Sequence, residues 1–269
     1  MPSRRTMAIL CAVIVGTGII VAAFYLPSLC PDCVPLPPTS SKAAIIDQLD
    51  LSAPNATFRQ DVAGLFQKAM NVTPDVFVGP NVTVNFYRTL PSRGYRLILL
   101  RVHSGLLHPI APSKPVYLFT GELYSETKYQ REVLNGELTP ASVTPNSPVY
   151  FSIGPLFVKR DMNGTFPGTV LIISGCSALI NTHLADEFLK RGVSAVISWD
   201  EFVSATWTDY AVFHLMEDFL LKGMTVKQAV DDTMNMIGPD PYFNSNLRFY
   251  PDKAANITLS QIMSQNWPP

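Results

Sequence analysis

The chain has little charge, few histidines and few cysteines. Of its 269 residues only 15% are Asp, Glu, Lys or Arg, and the net charge is −1. No basic patch marks a nucleic-acid partner, so that class is set aside. Four cysteines are too few for a disulfide-stapled scaffold, and one CxxC with no second pair gives no standard zinc spacing. Four histidines leave a short list of imidazole bases: His103, His108, His183 and His214.

What is abundant is apolar sequence. Met7 to Leu26 runs without a charge, after Arg4 and Arg5. About 20 such residues cross a hydrocarbon core. The positive residues predict a cytoplasmic segment 1–6, a transmembrane helix over 7–26 and everything later outside the cell membrane, a single-pass topology. A cleaved signal peptide has a shorter apolar core, about 7 to 15 residues, so the expectation is an uncleaved anchor in the lipid bilayer. Residues 27–41 read as a stiff stalk, with five prolines between 27 and 38. In it Cys30 and Cys33 are expected to form a local disulfide or a dimer crosslink. Five Asn-x-Thr sequons, at Asn55, Asn71, Asn81, Asn163 and Asn256, agree with an outside location.

Residues 42–269 read as one domain. Ala43–Asp47, residues 95–102, 116–120, 169–174 and 193–199 are short apolar runs, the pattern of strands buried on both faces. Helical spacing appears over 55–70, 184–189, 208–222 and 225–237, with Gly192 and Gly223 as stops and Thr225–Gln228 as a capping box. Residues 76–88 read as two short strands broken at Gly79-Pro80, and a short edge strand is expected near 247–250. Strands alternating with helices predict a three-layer α/β/α sandwich with a largely parallel sheet.

Two of the apolar runs end in chemistry. Residues 95–102 deliver His103-Ser104-Gly105, and 169–174 deliver Gly175-Cys176. Catalytic groups in open α/β sheets sit beyond the carboxyl ends of strands. If the strands are neighbours, His103 takes the thiol proton of Cys176 and the thiolate attacks a carbonyl. Backbone N–H groups at Gly105, Gly175 or Cys176 would form an oxyanion hole, and a following helix would favour the thiolate. The same residues also read as a small buried cysteine and a structural histidine. A zinc site of His103, His108 and Cys176 has no standard spacing.

The segments RLILLRVHSG, VLIISGCSA and LADEFLKRGVSAVISWDEFVSATWTDYAVFHLMEDFLLKGMTVKQAVDDTM together resemble the caspase-like cysteine peptidases, nearest the CHAT-type domains. The resemblance covers roughly residues 95–235. It implies a caspase-like fold, Cys176 as nucleophile, His103 as base, a peptide or protein substrate, and no cofactor. Two departures stand out. Ser104 separates His103 from Gly105, where the family usually has Gly directly after His, and the long gap from His103 to Cys176 implies an insertion across 106–168. The resemblance also implies a substrate pocket near Trp199, Asp200 and Asp209, with an acid facing a Lys or Arg of the substrate; solvated acids are the equal alternative. Two other readings stay open: a catalytically silent caspase-like binding or scaffold module, and a redox or crosslinked surface protein centred on Cys30 and Cys33.

Overall fold

Strand β1 (Ala43–Asp47) opens the domain with every side chain buried, its charged last residue included. The computed structural model describes residues 43–106 and 113–264. The expected transmembrane helix, stalk, Cys30, Cys33 and His108 lie outside them. Among the described residues no helix is long and apolar enough to cross a membrane.

Helix α1 (Ala56–Met70) follows, capped by Asn55, whose side chain accepts from the Phe58 N–H. Its residues Phe58, Val62, Leu65 and Phe66 face inward at helical spacing. Next come β2 (Asp75–Val78) and α2 (Val84–Thr89). The second of the two strands expected over 76–88 is therefore a helix. Thr83 caps it through the Phe86 N–H, and that local bond outweighs the β-branched character of the segment. Then come β3 (Leu97–Arg101), β4 (Ser104–Leu106) and β5 (Val116–Leu123), followed by α3 (Gln130–Leu134), β6 (Leu138–Ala141), β7 (Tyr150–Ile153) and α4 (Pro155–Arg160). The chain continues through β8 (Thr169–Ser174), α5 (His183–Lys190), β9 (Val193–Trp199) and α6 (Ala205–Leu220). It closes with α7 (Val226–Met236), β10 (Leu247–Tyr250) and α8 (Leu259–Met263).

The main sheet has the order β10-β9-β8-β3-β1-β2, parallel except for β10. Alternate side chains of its strands feed two separate cores. Ile46, Leu100, Ile173 and their face-mates pack with Tyr87 of α2, Phe157 of α4 and Phe188 of α5. Ile45, Leu99, Ile172 and Ile197 pack with Phe66 of α1, Phe219 of α6 and Val230 of α7. Each fully buried Leu, Ile or Phe contributes about 1.5–3 kcal/mol by leaving water, so two filled faces explain why β1, β3 and β8 lack any polar alternation. The insertion expected across 106–168 is a second, antiparallel sheet of order β4-β5-β7-β6, with α3 and α4. Its Leu118, Phe151 and Ile153 belong to the first of the two cores. The strand at 116–120 is thus not in the main sheet. Strand order reverses between β1 and β3, which makes their carboxyl ends a topological switch point, where such sheets bind ligands.

Candidate active site

Strands β3 and β8 are hydrogen-bonded neighbours in register, Arg101 opposite Ser174. His103 and Cys176 each lie two residues beyond that last pair. The Val102 N–H donates to the Ser174 carbonyl at 3.1 Å, carrying the pairing past the strand end. Beyond it the Ser104 hydroxyl donates to the Cys176 carbonyl at 2.6 Å. Ser104 therefore ties the histidine strand to the cysteine turn. Gly175 has no alternative here: a Cβ would run into the Val102 carbonyl oxygen and the Ser104 hydroxyl. The chain then turns sharply through Ser177, at φ +56°, a conformation that L residues hold only when their surroundings enforce it. The Ser177 N–H donating to the Glu201 carbonyl at 2.9 Å is that enforcement.

Both residues line one cavity of about 500 Å³, with Gly105 and Gly175 also in its wall. The glycines expected to supply oxyanion-hole N–H groups thus face the same space as the thiol and the imidazole.

The His103 side chain is positioned by groups that nothing in the sequence had flagged. Its backbone N–H donates to the Gln48 side-chain oxygen at 3.0 Å, and its ring lies 5.7 Å from that of Phe119. Its Nε2 is 2.7 Å from the Ser52 hydroxyl, which also reaches the Leu49 carbonyl at 3.4 Å. If that hydroxyl donates to Leu49, Nε2–H donates to Ser52 and Nδ1 is left as the basic nitrogen; the tautomer is assigned from this network. Burial and the nearby Arg101 charge push the His103 pKa down to about 4, so the ring is neutral at physiological pH. Burial, with smaller contributions from Asp240 and Glu201, raises the Cys176 pKa. The thiol donates to the Val203 carbonyl at 3.5 Å. Both shifts favour a neutral thiol beside a neutral imidazole. The expected helix dipole does not act on the thiol, because α5 begins at His183, with six residues of turn between.

The acids expected to meet a basic substrate side chain are engaged within the protein. Asp209 is buried and binds the Arg101 guanidinium through both oxygens, at 2.7 and 2.9 Å, while the Asn55 amide donates to it at 2.9 Å. Arg101 in turn donates to Asp47 at 2.9 Å. Asp200 accepts from Arg248 Nε at 2.9 Å and from the Asn246 N–H at 2.7 Å. Trp199 is fully buried, its Nε1–H donating to Thr208 at 2.8 Å. None of the three is in the cavity wall.

Four sequon asparagines, Asn71, Asn81, Asn163 and Asn256, are exposed. Asn55 is different, since its amide both caps α1 and holds Asp209. Away from the cavity, ligand-capable atoms of His214, Asp218 and Asp232 lie within 4.8 Å of one another, but Lys222 Nζ already contacts Asp218 at 2.6 Å. His183 opens α5 and is not in the cavity wall. The chain matches no protein-family model, and no curated protein matches it.

Proposed function

We propose that the chain is a caspase-like cysteine endopeptidase, held at the cell membrane by residues 7–26 with its catalytic domain outside. One observation carries the reading: the neighbouring strands β3 and β8 deliver His103 and Cys176 to one cavity, each two residues past their last paired position. The resemblance of the segments around both residues to caspase-like peptidases supports the same assignment.

In the proposed reaction the imidazole Nδ1 takes the Cys176 proton as Sγ attacks the scissile carbonyl carbon. The carbonyl oxygen becomes an oxyanion stabilised by N–H groups of the Gly175-Cys176 turn, since the Gly105 N–H lies in the β4–β5 ladder opposite Tyr117. The C–N bond breaks as the imidazolium returns its proton to the departing amine, leaving a thioester. Water then gives a proton to the imidazole and adds to the thioester. The C–S bond breaks, and the thiol regains its proton. A neutral imidazole suits this general-base route, whereas a standing thiolate–imidazolium pair does not fit the two pKa shifts.

One observation favours a catalytically silent binding module instead. The thiol is bonded to Val203 and Nε2 to Ser52, with no His103–Cys176 hydrogen bond among the described residues. Free enzymes often tighten such bonds only with substrate present, so the peptidase reading is kept. Incubating the full chain and its Cys176→Ala variant with a peptide library, and reading new termini by mass spectrometry, separates the two. Cleavage by the parent alone supports the peptidase. No cleavage, or equal cleavage by the variant, supports the silent module.

A further inference from the structure

From the cavity wall we infer that this site, if it is the peptidase centre proposed above, takes an uncharged apolar side chain next to the scissile carbonyl. Among the described residues the wall holds no Asp, Glu, Lys or Arg; its titratable side chains are Cys176, His103 and the Tyr117 phenol. Leu49, Phe119, Val143, Phe202, Val203 and Ala205 give it an apolar surface. Its buried serine and threonine hydroxyls are already satisfied: Ser174 and Thr208 bond each other at 2.9 Å, Ser152 donates to the Thr139 carbonyl at 2.8 Å, and Ser104 holds Cys176.

The charges nearby are committed elsewhere. Asp209 is neutralised by Arg101, and Asp200 by Arg248. The Glu201 carboxylate accepts from the Phe202 N–H at 3.0 Å. Asp240 accepts from the N–H groups of Ser204, Tyr242 and Phe243 and from the Ser204 hydroxyl. Neither Glu201 nor Asp240 reaches the wall. Arg101, the cation nearest the histidine strand, holds two aspartates and has nothing left for an acidic side chain. A lysine, arginine or aspartate entering this space would lose its hydration with no counter-ion in the wall, which costs several kcal/mol per charge. An aliphatic or aromatic side chain would lose only contact with water, which favours it.

Three acyloxymethyl ketone probes, identical except for leucine, lysine or aspartate beside the ketone, test the inference on the full chain. Labelling joins Sγ to the probe methylene, expels the carboxylate and passes the thiol proton to His103. The leucine probe is expected to label Cys176 at least about tenfold faster than the other two, in line with the price of burying an unpaired charge. Cys176→Ala should abolish the adduct. A second variant, Val143→Asp at the half-exposed rim, should raise the lysine-to-leucine rate ratio. If the lysine or aspartate probe labels as fast as the leucine probe and the adduct still depends on Cys176, the pocket inference is overturned while the peptidase reading stands. If no probe gives a Cys176-dependent adduct, the peptidase reading itself is overturned, and this inference with it.

Discussion

At the scale of single residues the site is defined by two neutralised partners. Because the His103 pKa is lowered to about 4, the imidazole, the proposed base, is mostly protonated only below that pH. The acid limb of kcat/KM should therefore fall near pH 4 and not near the ordinary imidazole value, as a pH–rate profile would register. The raised Cys176 pKa has the opposite consequence at high pH. Iodoacetamide should alkylate this thiol more slowly than a free cysteine at pH 8, with the rate still climbing above pH 9. Ser52→Ala removes the hydrogen bond that fixes Nε2. Turnover should drop up to about tenfold, the worth of one neutral hydrogen bond, with KM little changed and the acid limb displaced. His103 and Cys176 were legible in the sequence because each ends an apolar run. Ser52 and Gln48 were not: they lie about fifty residues upstream of His103, and only the β1–β3 pairing brings them to it.

At the scale of elements, the join between strands is an ion network and not only a ladder. Arg101 on β3 is 1% exposed and bridges Asp47 on β1 to Asp209 on α6. Arg101→Met leaves the buried Asp209 carboxylate without a cation, while Asp47 keeps Arg59 at 2.6 Å, and should lower unfolding stability by about 3–5 kcal/mol in a urea titration. The double change with Asp209→Asn, which removes the stranded charge, should recover part of that loss. The family resemblance offered Asp209, second to Asp200, as a specificity acid. Its actual partner is 108 residues away in sequence, which no local pattern reveals. The same limit explains β5: its apolar run announced a strand, but nothing in the run said which sheet it joins. A local signal that completes itself within four residues was read correctly, as with the Thr225 capping box.

At the scale of the whole molecule, a parallel sheet with filled faces presents His103 and Cys176 beyond the carboxyl ends of its central strands, and an inserted antiparallel sheet walls that end. β4 begins directly after His103, and Thr139 to Val143 close the cavity from the insertion's far strand. The long gap between histidine and cysteine is thus the pocket wall. If the domain faces the outside, exposed sequons such as Asn81 and Asn163 should carry glycans in the folded secretory-pathway protein. Asn55 should not, since its amide holds Asp209. Peptide mapping after enzymatic deglycosylation reports each site. The central claim is that His103 acts on Cys176, and its most direct measurement is the second-order rate of Cys176 labelling by the leucine ketone in the parent and in His103→Ala. The account predicts a single adduct on Cys176, formed at least about a hundredfold more slowly without the imidazole. An adduct that forms equally fast in His103→Ala would contradict it.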